Sequence, residues 1–83
     1  MAQPYYFYLL RCSDDSLYAG ICIDLQQRVG THQNGKGAKY TRSRLPVTLV
    51  YHEQHRSKGD ALRREAEVKK WSKQLKERLV GDV

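Results

Sequence analysis

Six tyrosines, three histidines, a surplus of arginine and lysine, and one glutamate on a helix stripe are the side chains through which this sequence could do chemistry. Cleaving a phosphodiester needs a base to activate water, a cation to hold charge on the phosphorane-like transition state, and an acid or metal for the leaving oxygen. Those residue types are present, and their spacing predicts that they converge. Tyr8 and Tyr18 fall on two short apolar runs that read as the strands of one hairpin, so both can face the same side. Arg28 and His32 are four apart on a predicted helix and project together. Tyr40 lies in a basic loop, and Glu65 about one turn into a later helix. The sequence has no GxSxG, no Walker loop, no HExxH and no paired-carboxylate motif.

The elements that must position these groups can be read along the chain. The aromatic run over residues 5–11 predicts a strand buried on both faces, and residues 17–22 a second strand after the turn cluster Ser13-Asp14-Asp15-Ser16. Gly20 stands where a strand residue would carry a side chain, which marks a bulge or the close approach of another group. Asp24, with Gln27 three residues on, caps a helix over 25–33 with Leu25, Val29 and His32 on one face. Asn34-Gly35-Lys36-Gly37 ends it, and a loop runs to Pro46. Period-two Val47, Leu49 and Tyr51 predict a third strand over 47–53. Ser57 and Asp60 start a helix to about residue 71, with Lys58, Leu62, Glu65 and Lys69 along one stripe. Ser72 caps a last helix, 73–80, that packs through Leu75, Leu79 and Val80. The expectation is an α+β domain spanning 1–83, a small three-stranded antiparallel sheet flanked by helices in the order ββαβαα. Its expected core is Leu9, Ile21, Leu25, Val29, Leu49, Leu62 and Trp71, with His52 and His55 as strand-end surface residues.

Fifteen Lys and Arg against nine acids give a formal charge of +6, which favours a polyanionic partner. The stretch from Lys36 to Arg44 sharpens this. Lys36, Lys39, Arg42 and Arg44 are interleaved with Gly35, Gly37, Tyr40 and Thr41 and with no acid, offering charges and backbone N–H groups to phosphates. The second basic region, Arg56 to Arg78, is mixed with acids and reads as a solvated helix face. Cys12 and Cys22 lie in strand-like stretches and read as small buried hydrophobes rather than a disulfide or metal pair. The Met1-Ala2-Gln3-Pro4 stretch lacks the basic n-region and long apolar run expected of a signal peptide, and no run approaches the roughly 20 apolar residues of a membrane span. A soluble, thiol-reduced, cytoplasmic monomer is expected.

Five stretches occur in order: Tyr8-Leu9-Leu10-Arg11-Cys12, Ser16-Leu17-Tyr18-Ala19-Gly20-Ile21, Gly35-Lys36-Gly37-Ala38-Lys39-Tyr40-Thr41-Arg42, Pro46-Val47-Thr48-Leu49-Val50-Tyr51, and Ala61-Leu62-Arg63-Arg64-Glu65-Ala66-Glu67-Val68-Lys69-Lys70. Together with Arg28 and His32 they resemble the GIY-YIG nuclease family, in particular its small stand-alone bacterial members. The resemblance covers about residues 5–80 and implies the GIY-YIG fold and an endonuclease that hydrolyses DNA with one Mg²⁺ or Mn²⁺ ion, in repair or recombination. It implies roles too. Tyr8 or Tyr18 acts as or positions the general base, Gly20 keeps room beside the strand, Arg28 holds the scissile phosphate, and His32 hydrogen-bonds in the site or relays a proton. Tyr40 lies near the phosphate, and Glu65 ligates the metal. Lys36, Lys39, Arg42, Arg44 and Lys69 complete the expected DNA contacts. Two departures stand out: the first triplet, Tyr6-Phe7-Tyr8, keeps only the tyrosine of its motif, and no asparagine follows Asn34. With no targeting domain in these residues, specificity would be low or supplied by a protein partner. The competing reading is a nucleic-acid-binding module of the same fold without catalysis.

Overall fold

The computed structural model describes residues 3–81. Strands β1 (Tyr5–Arg11), β2 (Leu17–Cys22) and β3 (Thr48–His55) form one antiparallel sheet in the order β2-β1-β3. Helix α1 (Leu25–Gln33) follows the hairpin, α3 (Lys58–Lys69) and α4 (Lys73–Val80) follow β3, and a single turn, α2 (Lys39–Arg42), sits inside the basic loop. The ββαβαα order is therefore found, with α2 as an added turn. No described helix is long and apolar enough to cross a membrane.

As the central strand, β1 is covered on both faces, and Phe7, Tyr8, Leu9 and Leu10 are all almost fully buried. Side chains alternate along a strand, so two cores form. Tyr8 and Leu10 join Cys12, Cys22 and Val47 beneath Leu25 and Val29 of α1. Phe7 and Leu9 join Ala19 and Val68 on the opposite face, beneath α3, with Trp71, Leu79 and Val80 packed around them. A bulge on β3 opposite Leu9 and Leu10 carries the register from Tyr51 to Leu49.

The three expected helix caps form. Asp24 Oδ1 accepts from Gln27 N at 3.0 Å, Ser57 Oγ from Asp60 N at 3.1 Å and Ser72 Oγ from Leu75 N at 3.3 Å. Each satisfies one of the backbone donors that a helix start leaves orphaned, typically contributing about 1 kcal/mol. Helix α1 ends in a Schellman motif: Gly35 N–H donates to His32 O, Lys36 N–H donates to Thr31 O, and Gly35 takes φ 73°.

The expected core needs correction. Of that set, Leu9 is fully buried, whereas Ile21, Leu25, Val29, Leu49 and Trp71 are half-buried. Leu62 is 43% exposed. The reason is helix phase: Ala61 and Val68 are the buried residues of α3, so the packed stripe runs through 61, 65 and 68 rather than 58, 62, 65 and 69. Leu75 is also exposed, leaving Leu79 and Val80 to dock α4. Strand β3 starts one residue late and runs to His55. His52 is exposed as expected, but His55 lies 2.8 Å from Glu53, whose carboxylate also accepts from Arg64 and Tyr51. The mixed region 56–78 is not purely a solvated face either: Glu77 accepts two hydrogen bonds from Arg11, at 2.6 and 2.7 Å, fastening α4 to the end of β1.

Candidate active site

Tyr8 enters from the middle of β1, where its register partner on β2 is Gly20. The missing side chain matters: a Cβ on Gly20 would lie 2.6 Å from Tyr8 Cζ, closer than real Cβ contacts allow. The phenol thus occupies the space that a side chain on β2 would fill, which is the close approach expected of Gly20. Tyr8 Oη lies 3.1 Å from His32 Nε2 in a buried hydrogen bond. His32, on the last turn of α1, is the one buried residue of that helix. Its other nitrogen, Nδ1, lies 2.8 Å from Thr41 Oγ1 on α2. Gly37 leaves room for the imidazole, since a Cβ there would fall 2.8 Å from His32 Cγ.

Burial pushes Tyr8 up to about 12, helped by the neighbouring Tyr18 and opposed by the Arg28 guanidinium. Burial outweighs the nearby cation and controls this phenol. His32 is held below its ordinary value, first by burial and then by the positive charge of Arg28. At neutral pH the pair is therefore a neutral phenol against a neutral imidazole.

Above this pair lies an open concavity of about 480 Å³ lined by Tyr18, Gln27, Arg28, Thr31, His32, Lys36, Gly37 and Ala38. That is a usual size for a small-ligand site. Tyr18 sets its ring edge-on to His32, with centroids 5.3 Å apart, and stacks on Tyr40 at 6.0 Å. The Arg44 guanidinium covers the Tyr40 ring at 3.9 Å. Arg44 also donates to Asp14 at 2.9 Å and to Tyr40 O at 2.9 Å, so it holds the loop against the hairpin turn.

The expected residues divide accordingly. Tyr18, Arg28, His32 and Lys36 share the concavity, with Tyr8 and Gly20 behind it and Tyr40 beside Tyr18. Lys39 and Arg42 are exposed on α2 and make no ion pair among the described residues. Arg44 is committed to the loop. Glu65 does not line the concavity. It sits on α3, which covers the opposite face of the sheet, with a side chain 19% exposed and 3.4 Å from Lys69 Nζ. Thr41 and Gly37 were not anticipated. Both were read only as parts of a phosphate-facing loop, and nothing local marks either as a neighbour of His32.

Among the described residues no three His, Cys, Asp or Glu side chains cluster as a metal cage. A single carboxylate such as Glu65 could hold only an ion that keeps several waters and takes oxygen from substrate phosphate, as Mg²⁺ does.

The described residues thus form a three-stranded sheet carrying a Tyr–His pair beside an arginine-lined concavity. The GIY-YIG catalytic domain matches residues 4–78, and the chain belongs to that nuclease-type family. It is 49% identical to a UPF0213 protein of Natronomonas pharaonis over 82 residues, covering 99% of this chain and 96% of that protein. It is 54% identical to a UPF0213 protein of Streptococcus sanguinis over 76 residues, covering 92% and 87%. The solution structure of the UPF0213 protein of Bacillus halodurans superposes with a TM-score of 0.60 at 47% identity, covering 93% of this chain and 82% of that one. A protein of E. faecalis superposes with a TM-score of 0.63 at 36% identity, covering 90% and 80%.

Proposed function

We propose that this chain is a Mg²⁺-dependent endonuclease that hydrolyses phosphodiester bonds of DNA, in a repair or recombination setting. One observation carries the reading: the buried 3.1 Å hydrogen bond between Tyr8 and His32, bordered by Arg28 of the concavity. A phosphate in that concavity meets Arg28 and Lys36, and Lys39 and Arg42 extend the positive surface beside it. Tyr8 Oη takes a proton from the attacking water while passing its own to His32 Nε2. The water oxygen forms its bond to phosphorus as the ester P–O bond breaks, and the departing alkoxide takes a proton from solvent. Arg28 stabilises the charge that builds on the phosphoryl oxygens. Such a pair avoids a free phenolate, which a tyrosine held near 12 would rarely supply. Tyr18 lines the concavity, but among the described residues its hydroxyl makes no side-chain hydrogen bond through which to pass a proton on.

Glu65 would hold the Mg²⁺ ion, which supplies charge neutralisation at the phosphate when bound. Strand β2 is a sheet edge, with α1 on one face and α3 on the other. Arg28 Nη1 donates to Ile21 O of this strand at 3.4 Å, and the reading requires a phosphate at this edge that Arg28 and Glu65 address from the two layers. The absence of Glu65 from the concavity lining favours one other reading, a DNA-binding module without catalysis. A panel of duplex, single-stranded and branched DNA and RNA, incubated with Mg²⁺ or with EDTA, separates the two. Cleavage in Mg²⁺ alone, strongest on DNA and reduced at least about 100-fold by Arg28→Ala, is expected. Salt-sensitive binding with no product on any substrate would replace the nuclease reading by the binding one.

A further inference from the structure

Thr41 is fully buried, was given no role of its own within the basic loop, and does not line the concavity. Its hydroxyl nevertheless meets two partners. Oγ1 lies 2.9 Å from Ala38 O, to which it donates, and 2.8 Å from His32 Nδ1. A hydroxyl has one proton and a carbonyl has none. Were the Thr41 proton given to Nδ1, two lone-pair oxygens would face each other at 2.9 Å with nothing between them. The proton therefore goes to Ala38 O, Thr41 Oγ1 accepts, and Nδ1 must carry a hydrogen. A neutral imidazole with Nδ1–H has its lone pair on Nε2, which is the atom facing Tyr8. The Tyr8 hydroxyl must then be the donor of the 3.1 Å bond.

We propose that Thr41 is a positioning residue of the reaction: its hydroxyl fixes His32 in the Nδ1–H form and so aims the Nε2 lone pair at the Tyr8 proton. With the other tautomer, Nε2–H would donate to Tyr8 Oη and His32 could not take the phenol proton at all. The same bond keeps its use after transfer, because the imidazolium still donates from Nδ1 to Thr41. The local fold serves this contact. The Schellman end of α1 turns the chain, Gly37 passes against the imidazole without a side chain, and the single turn α2 delivers Thr41 to Nδ1. This explains why one helical turn interrupts a basic loop that needs no helix for phosphate binding.

The inference rests on the Tyr8–His32 reading of the site, but its first test does not require activity. Long-range ¹H–¹⁵N correlation at pH 7.5 reports which imidazole nitrogen carries the proton. The wild type should show a protonated Nδ1 and a bare Nε2 for His32. Thr41→Val should shift His32 toward Nε2–H or a mixture, and Thr41→Ser should restore the wild-type pattern. Single-turnover cleavage in Mg²⁺ should fall about 10- to 100-fold in Thr41→Val, the usual cost of losing a group that orients a functional histidine, with DNA affinity unchanged and Thr41→Ser within about threefold of wild type. A wild-type His32 protonated on Nε2 overturns the inference, even if Thr41→Val does not fold. So does a folded Thr41→Val that keeps the wild-type nitrogen pattern or cleaves at the wild-type rate. Absence of cleavage in the wild type, with the nitrogen pattern as expected, would discard the nuclease reading and leave the tautomer assignment standing.

Discussion

Tyr8→Phe should lower single-turnover DNA cleavage by about 10²- to 10⁴-fold, the usual worth of a positioned acid–base group. The variant keeps the ring that packs with Leu10, Cys12 and Val47 and removes only the oxygen that bonds His32. Because Tyr8 is almost wholly buried, DNA affinity should stay within about twofold. Stability should fall by about 1–3 kcal/mol, since His32 Nε2 loses its buried hydrogen-bond partner. Tyr18→Phe is the informative companion. Tyr18 lines the concavity and stacks on Tyr40, so losing its hydroxyl should cost less than about tenfold. A Tyr8→Phe enzyme that cuts at the wild-type rate, or a larger loss in Tyr18→Phe, would move the base from one tyrosine to the other.

The second large effect is expected from Glu65→Gln. Glutamine keeps the shape of a half-buried side chain but removes the negative charge that attracts a divalent ion. Cleavage in Mg²⁺ should fall about 10³-fold, equivalent to about 4 kcal/mol of lost charge stabilisation. Raising the Mg²⁺ concentration should recover part of it. The fold should be little affected, because the carboxylate's ion-pair partner is Lys69, itself half-exposed on the same helix. Such exposed pairs contribute about 0–1 kcal/mol. Lys69→Ala supplies the contrast: freeing the carboxylate should leave activity within about threefold. Full activity in Glu65→Gln would remove Glu65 from the reaction and leave the DNA-binding reading of its helix layer.

How much of this was legible in the sequence follows from how local each feature is. The caps at Asp24, Ser57 and Ser72 each satisfy a backbone donor three residues on, so sequence alone suffices. Gly20 could be flagged because a glycine inside a strand demands a reason, although the intruding group, Tyr8, becomes visible only with the strand register. His32 was readable as the inward end of α1, since it continues the face of Leu25 and Val29. Leu62 was misplaced because a three-stranded sheet offers α3 only a narrow contact, and its phase is set by burying Ala61 and by fitting Val68 against Phe7, Leu9 and Ala19. The layer that Glu65 occupies was equally hidden, because a helical stripe says which way a residue leans but not which face of the sheet receives the helix. The turn α2 was hidden for a different reason. Its four residues carry no side-chain cap, and a tertiary contact, Thr41 to His32, fixes it in place. Arg44 was counted as a DNA contact because basic loops bind phosphate, but its hydrogen bonds to Asp14 and to the Tyr40 carbonyl employ it as a brace.

The dependence of the cleavage rate on pH, in Mg²⁺ and under single-turnover conditions, tests most directly whether Tyr8 works through His32. A base that must be neutral loses activity as pH falls through its own pKa, and His32 is held below the usual 6.5 by burial and by Arg28. The rate should therefore be level at and above neutrality and should fall only on acidification past that lowered value. A rate that is small at neutral pH and keeps climbing tenfold per unit toward the value of about 12 at which Tyr8 ionises would contradict it, because the phenolate and not the imidazole would then be the base.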